Sequence, residues 1–143
     1  MRILFVDDEL EHIETVAAVI REALDADVVS ARTVRDAVEA LHRAPCDVVV
    51  MDIFIPMGDS AVEVLGPRAR RYEQDLEHLG GLVLLDELQR LETCPVVLAH
   101  TACMDFELLE LMREVVSDRV PKPAPADVLL RAVLEALDLP SPS

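Results

Sequence analysis

Val48-Val49-Val50-Met51-Asp52-Ile53-Phe54-Ile55-Pro56 is the stretch on which the fold turns. An apolar, mostly β-branched run ends abruptly in one carboxylate, Asp52. The run is too short for an ordinary helix, so it reads as a strand buried on both faces, as central parallel strands are. An acid at the carboxyl end of such a strand lies at the edge where open α/β sheets place their chemistry.

On either side, short apolar runs alternate with amphipathic stretches. Arg2–Val6 forms a first strand ending in Asp7-Asp8-Glu9. Leu10, Ile13, Ala17, Ile20 and Leu24 then recur at helical spacing. Val28-Val29 reads as a brief second strand, and Thr33 is placed to cap a helix carrying Val34, Ala37, Val38 and Leu41. Beyond Pro56, Gly58, Gly66-Pro67 and Gly80-Gly81 punctuate a polar stretch before Leu82, Leu85 and Leu88 restore helical periodicity. Val96–Ala99 is a fourth buried strand finishing at His100-Thr101, followed by a helix with Phe106, Leu109 and Met112. Val120 belongs to a short fifth strand leading into Lys122. A last helix starts near Asp127 and carries Val128, Leu129, Ala132, Val133, Ala136 and Leu137 on its inner side. Strand and helix alternate throughout, which predicts a doubly wound (βα)5 domain with a parallel sheet covered on both faces. The expected boundaries are 1–139 for the domain and 140–143 for a tail.

Composition narrows the function. The chain has 143 residues, enough for one domain, and 52 % are hydrophobic, so a sizeable core is available. Aromatics are only 3 %, leaving little to stack on a base. A net charge of −15, from 28 acids against 13 bases, disfavours nucleic acid and anionic membranes and suits cations or basic partners. The N-terminus enters a strand at once, without a signal-peptide pattern, so a cytoplasmic protein is expected. Cys46, Cys94 and Cys103 lack metal-ligand spacing and are expected to be buried free thiols.

In a parallel sheet Asp7, Asp8, Asp52, Thr101 and Lys122 all emerge at one edge. Carboxylates gathered in one cleft repel and raise one another's pKa, unless a hard cation sits among them. Mg2+ takes oxygen ligands and keeps waters with one or two carboxylates. Asp8, Asp52 and the backbone carbonyl of Phe54 make such a set, with Asp7 acting through water. An Asp nucleophile, a cation, a Lys and a hydroxyl are also what phosphoryl transfer to a carboxylate needs. Each residue has a plainer reading too. Asp7 or Asp8 alone would serve as a helix cap, Thr101 as the cap of the next helix, and Lys122 as an exposed loop lysine. His12, His42, His78 and His100 read as solvated or structural.

Ile3-Leu4-Phe5-Val6-Asp7-Asp8-Glu9, Asp52 with Pro56 four residues on, Thr101-Ala102 and Lys122-Pro123 resemble the signature set of bacterial two-component response-regulator receiver domains, of the stand-alone chemotaxis-receiver kind. The resemblance spans nearly the whole chain except the segment after Pro56. It implies a flavodoxin-like fold with strand order 2-1-3-4-5. It also implies a phosphorelay component rather than an enzyme, taking a phosphoryl group on Asp52 from a sensor histidine kinase or phosphotransfer protein and switching affinity for a downstream protein. By the same resemblance Asp7 and Asp8 hold Mg2+, Thr101 senses the phosphoryl group, Lys122 pairs with it, and the Lys122–Pro123 bond is cis.

Three departures bear on function. Arg119 stands where the family usually has an aromatic whose rotamer reports phosphorylation, and an Arg is not expected to bury inward as a ring does. Phe54, two residues past Asp52, is bulky enough to screen attacking water, which predicts a long-lived phosphoaspartate. Cys103 holds the corresponding position after Thr101. Between Met57 and Gly80 lie roughly twenty residues more than the family's short loop, and loops that long are usually functional or disordered. Pro67 suits a first helical turn and Tyr72, Leu76 and Leu79 share one helical stripe, yet Arg68, Arg70 and Arg71 oppose the macrodipole. Ala61–Leu65 has an extended strand as its alternative. The segment reads either as a mobile surface loop or as a lid beside Asp52 with its arginines near incoming phosphate. Two other functional readings stay open: a pseudo-receiver acting as a constitutive interaction module, and a haloacid-dehalogenase-type phosphatase. The latter normally needs a second acid where Phe54 stands.

Overall fold

The computed structural model describes residues 1–58 and 64–138. Five parallel strands, β1 (Arg2–Val6), β2 (Asp27–Ala31), β3 (Val48–Met51), β4 (Val96–Thr101) and β5 (Val116–Pro121), form one sheet in the order β2-β1-β3-β4-β5. The predicted doubly wound fold and strand order are both present. Every pairing is parallel, with Val6 opposite Ala31 and Met51, and Met51 opposite Ala99. The register of β5 on β4 shifts between Val97 and Leu98.

Alternation along the strands divides the core in two, because successive side chains point to opposite faces. Leu4, Val6, Val49, Met51, Val97 and Ala99 pack under α2 (Val34–Arg43), α4 (Gly80–Arg90) and α5 (Phe106–Met112). Ile3, Phe5, Val48, Val50, Leu98 and Val120 pack under α1 (Leu10–Leu24) and α6 (Ala126–Ala136). In α1 the buried stripe is Ile13, Val16, Ala17 and Ile20, so Val16 joins the expected set. Thr33 caps α2 as expected, its hydroxyl accepting from the Asp36 amide at 3.1 Å. Val128, expected on the inner side of α6, is exposed in its first turn, as is Phe106 in the first turn of α5. Among the thiols, Cys103 is buried and Cys46 half-buried, but Cys94 is exposed in the turn before β4.

The long segment after β3 departs most from expectation. The single helix drawn through Tyr72, Leu76 and Leu79 is a five-residue α3 (Pro67–Arg71) followed by a 3-10 turn at Glu73–Asp75. Pro67 does occupy its first turn. The strand considered at Ala61–Leu65 lies mostly outside the described residues, and Val64 and Leu65 are not in a strand. Nor is the described part a mobile loop: Ala69, Leu76 and Leu79 are buried in the core beside α4. Arg68 explains why. It is 4 % exposed, and its Nη1 lies 2.9 Å from Oδ1 of Asp86, itself 3 % exposed on α4. The same guanidinium donates to Gln89 Oε1, Glu114 Oε2 and the Leu111 carbonyl at 2.8, 3.0 and 2.7 Å. The second Asp86 oxygen accepts from the Ala69 amide at 3.1 Å. Buried charges persist only when paired and hydrogen-bonded on all sides, and these are. Arg68, one of the three arginines expected near incoming phosphate, is therefore committed to α4 and α5. Arg71 is bound to Glu107 at 2.7 Å with both side chains more than half exposed.

Arg68→Ala leaves Asp86 buried and unpaired, so denaturant unfolding should show a loss of about 3–5 kcal/mol. Arg71→Ala, at an exposed pair, should cost no more than about 1 kcal/mol. Equal small losses for both would show that the Arg68 cluster does not hold the segment in place.

Candidate functional site

Strand tips and their backbone ladder build the site. The Asp52 amide donates to the Val6 carbonyl at 3.0 Å, the Asp7 amide to Ala31 at 3.0 Å and the Lys122 amide to Thr101 at 3.2 Å. These bonds carry the sheet's pairing one residue past the strand ends, so Asp7, Asp52, Thr101 and Lys122 stand side by side at one edge. Glycines fix the chain leaving Asp52. Gly80 and Gly81 donate to the carbonyls of Ile55 and Ile53 at 2.9 and 3.0 Å. A Cβ on Gly81 would lie 2.4 Å from the Ile53 Cα, so only glycine allows the start of α4 to come this close.

Lys122 is the centre of the cluster. Its ammonium lies 2.7 Å from Asp7 Oδ2 and 2.9 Å from Asp52 Oδ2, and its side chain is 13 % exposed. Burial pulls its pKa down, but the hydrogen bonds and charges of Asp7 and Asp52 outweigh burial and hold it above the usual lysine value. Asp7 and Asp52 are both buried. The second oxygen of each is taken by a nearby amide, Glu9 N on Asp7 at 3.0 Å and Phe54 N on Asp52 at 3.1 Å. The plainer readings fail for most of these residues. Glu9, not Asp7 or Asp8, precedes the first turn of α1, and it makes no side-chain cap. The cap of α5 is Asp105, accepting from Leu108 N at 3.1 Å, so Thr101 is free of that task. Thr101 is fully buried, with its hydroxyl accepting from the Cys103 amide at 3.2 Å. Lys122 follows β5 in a bend but is not exposed: its ammonium is held by the two acids. The Lys122–Pro123 bond is cis.

Asp8 differs from its neighbours in being exposed, and Phe54 is 40 % exposed beside Asp52. Among the described residues no group of three or more acidic, Cys or His side chains has metal-ligand spacing. The donor chemistry nonetheless fits a hard divalent cation. Two buried carboxylates, Asp7 and Asp52, share one ammonium, exposed Asp8 follows Asp7 in the chain, and carboxylate oxygens are hard ligands.

Sequence reasoning missed two contacts. Arg119 is half-buried, and its Nη1 donates to the Cys103 carbonyl at 3.0 Å. It therefore does turn inward, carrying its charge to a carbonyl of the loop that Thr101 begins. His100 is buried, with Nδ1 2.9 Å from the Val120 carbonyl and Nε2 3.3 Å from Nε2 of His12. The available signal was its place inside an apolar strand next to Thr101.

Solved structures with this architecture are numerous. A response-regulator receiver domain from Francisella superposes with a TM-score of 0.70 at 19 % identity, covering 96 % of each chain. A receiver domain protein from Methanospirillum hungatei gives 0.73 at 20 % identity, covering 96 % of this chain and 93 % of that one. One from Clostridium thermocellum gives 0.68 at 20 %, covering 96 % and 94 %. The chain has the fold of response-regulator receiver domains. No family model matches the chain, and no curated protein matches its sequence. In the receiver fold the tips of β1, β3, β4 and β5 are neighbours, and here they carry the residues singled out above. No helix among the described residues is long and apolar enough to cross a membrane.

His100 gives the receiver fold a pH dependence of its own. Burial first, then the charges of Lys122 and His12, hold its pKa below the ordinary 6.5, against the opposing hydrogen bond to Val120 and the charge of Asp7. The unfolded chain takes up a proton that the folded chain resists. Stability is therefore present above 6.5 and is lost as pH falls below it, through the folded-state value. Urea midpoints should drop between about pH 7 and about pH 5.5, a range above ordinary carboxylate titration. In His100→Gln that slope should flatten; an unchanged slope assigns it to other groups.

Proposed function

We propose that the protein is a phosphoacceptor of two-component or phosphorelay signalling, with Asp52 as the acceptor. The observation that carries the reading is the buried Asp52 carboxylate held by a lysine that a second buried acid, Asp7, also holds. A lone carboxylate at a strand end needs a partner, and a partner shared with another acid leaves excess negative charge in the cleft. An oxygen of Asp52 forms the new P–O bond as the P–N bond of a phosphohistidine on a sensor kinase or phosphotransfer protein breaks. Asp8, Asp52 and the Phe54 carbonyl would hold Mg2+, with Asp7 through water, and the ion would supply charge to offset the phosphoryl oxygens. Lys122 meets the same oxygens once its hold on Asp52 is exchanged for them. Thr101 turns its hydroxyl from an acceptor of the Cys103 amide into a donor to the phosphoryl group. The product carries about −1.5 to −2 charges. A change of this size biases the loop after Thr101, and Arg119, bound to that loop at Cys103, passes the change to β5 and a downstream protein.

The alternative is a constitutive interaction module, and Arg119 in place of a mobile ring is what favours it. The phosphatase reading has less support, since the position two after Asp52 holds half-exposed Phe54 rather than an acid.

Incubation with acetyl phosphate and Mg2+ should add the mass of one phosphoryl group to the intact protein and none to Asp52→Asn. A wild-type protein that stays unmodified, also with a beryllofluoride mimic, rules out the acceptor reading in favour of the constitutive module. Phe54→Ala opens the approach of water to the acyl phosphate. Its phosphorylated form should decay several-fold faster than wild type, followed by mass at timed intervals.

A further inference from the structure

Outside the acid–lysine cluster, the fold brings together two imidazoles from distant parts of the chain. His12 of α1 and His100 of β4 face each other with Nε2 atoms 3.3 Å apart and ring centroids 5.5 Å apart. The rings are tilted by 30°. His100 is buried and His12 half-buried, so the pair reaches the surface through His12. The Nδ1 atom of His100 is 2.9 Å from the Val120 carbonyl. A carbonyl only accepts, so Nδ1 carries the proton and Nε2 of the neutral ring aims its lone pair at His12.

Two imidazole nitrogens at this separation share either a proton or an ion. In a tetrahedral zinc site with Zn–N of about 2.0–2.1 Å, neighbouring ligand nitrogens lie roughly 3.3–3.4 Å apart. We propose that His12 and His100 form a two-imidazole site for a divalent transition ion of the zinc class, with water in the remaining positions. Imidazole selects such ions over Mg2+, which takes oxygen ligands. The bond from Nδ1 to a backbone carbonyl is the arrangement that orients a metal-binding histidine and raises its basicity. Burial disfavours the charged form of His100, the form that cannot ligate. Of the charged groups that act on His100, Lys122 opposes a cation and Asp7 favours it. The lysine is already balanced by two carboxylates. A bound ion ties α1 to the strand tip whose next residue is Thr101. The site does not depend on the phosphoacceptor reading, and its test involves no phosphoryl transfer.

Zinc chloride titrated calorimetrically into a Cys46→Ser/Cys94→Ser background, in excess Mg2+ to occupy the carboxylates, should bind with one equivalent. It should also raise the melting temperature by mass action. His12→Gln, at the half-buried member of the pair, should weaken zinc binding at least about tenfold while circular dichroism shows the fold retained. His100→Gln should do the same. In spectra of the histidine side chains, zinc should shift the Nε2 signals of both rings. Absence of binding to the folded protein, or equal affinity in His12→Gln, overturns the site.

Discussion

The placement of one ammonium between two buried carboxylates organises this molecule. Lys122 touches Asp7 and Asp52 at 2.7 and 2.9 Å, and so joins the tips of β1, β3 and β5, which are not all neighbours in the sheet. The lysine can do this only because the strands are parallel and in register, which puts their carboxyl ends at one edge. Removing it would leave two buried acids facing each other, an arrangement that burial and like charge both penalise. The cluster keeps an excess of negative charge even with the lysine in place. That excess is what the proposed Mg2+ would offset.

A second buried ion pair, between Arg68 and Asp86 of α4, has a structural task. Receiver-fold helices normally bury one stripe, but α4 is buried from Gly80 through Asp86 and again at Leu88. The segment of α3 and the 3-10 turn supplies the outer cover. Arg68 and Asp86 are the polar seam of that cover, with Ala69, Leu76 and Leu79 as its apolar part. Because Arg68 also reaches Leu111 and Glu114, the cover is bonded to α5 and the residues that follow it.

Where the resemblance led to an aromatic on β5, the structure has a short chain of contacts through Arg119. Thr101 accepts from the Cys103 amide, and the Cys103 carbonyl accepts from Arg119. A charged fork bound to a carbonyl is directional where a ring is not. Arg119 therefore holds one peptide group of the loop after β4 in place.

The sequence alone determined the fold class and the four strand tips that carry the candidate site, and the family resemblance supplied the strand order. Apolar runs bounded by acids, and helical spacing between them, are local signals that nothing distant overrides. It also supplied Thr33 as a cap and Pro67 as a helix start, again by local chemistry. Only the tertiary structure decided what depends on pairing across the chain. Arg68 read as a phosphate-facing charge because its partner, Asp86, lies 18 positions away on another helix. Arg119 read as unable to turn inward because the carbonyl that receives it is contributed by a different strand's loop. His12 and His100, 88 positions apart, carried no mark of meeting. Spacing along the chain reports which face a residue occupies; which group waits opposite is set by how the faces close.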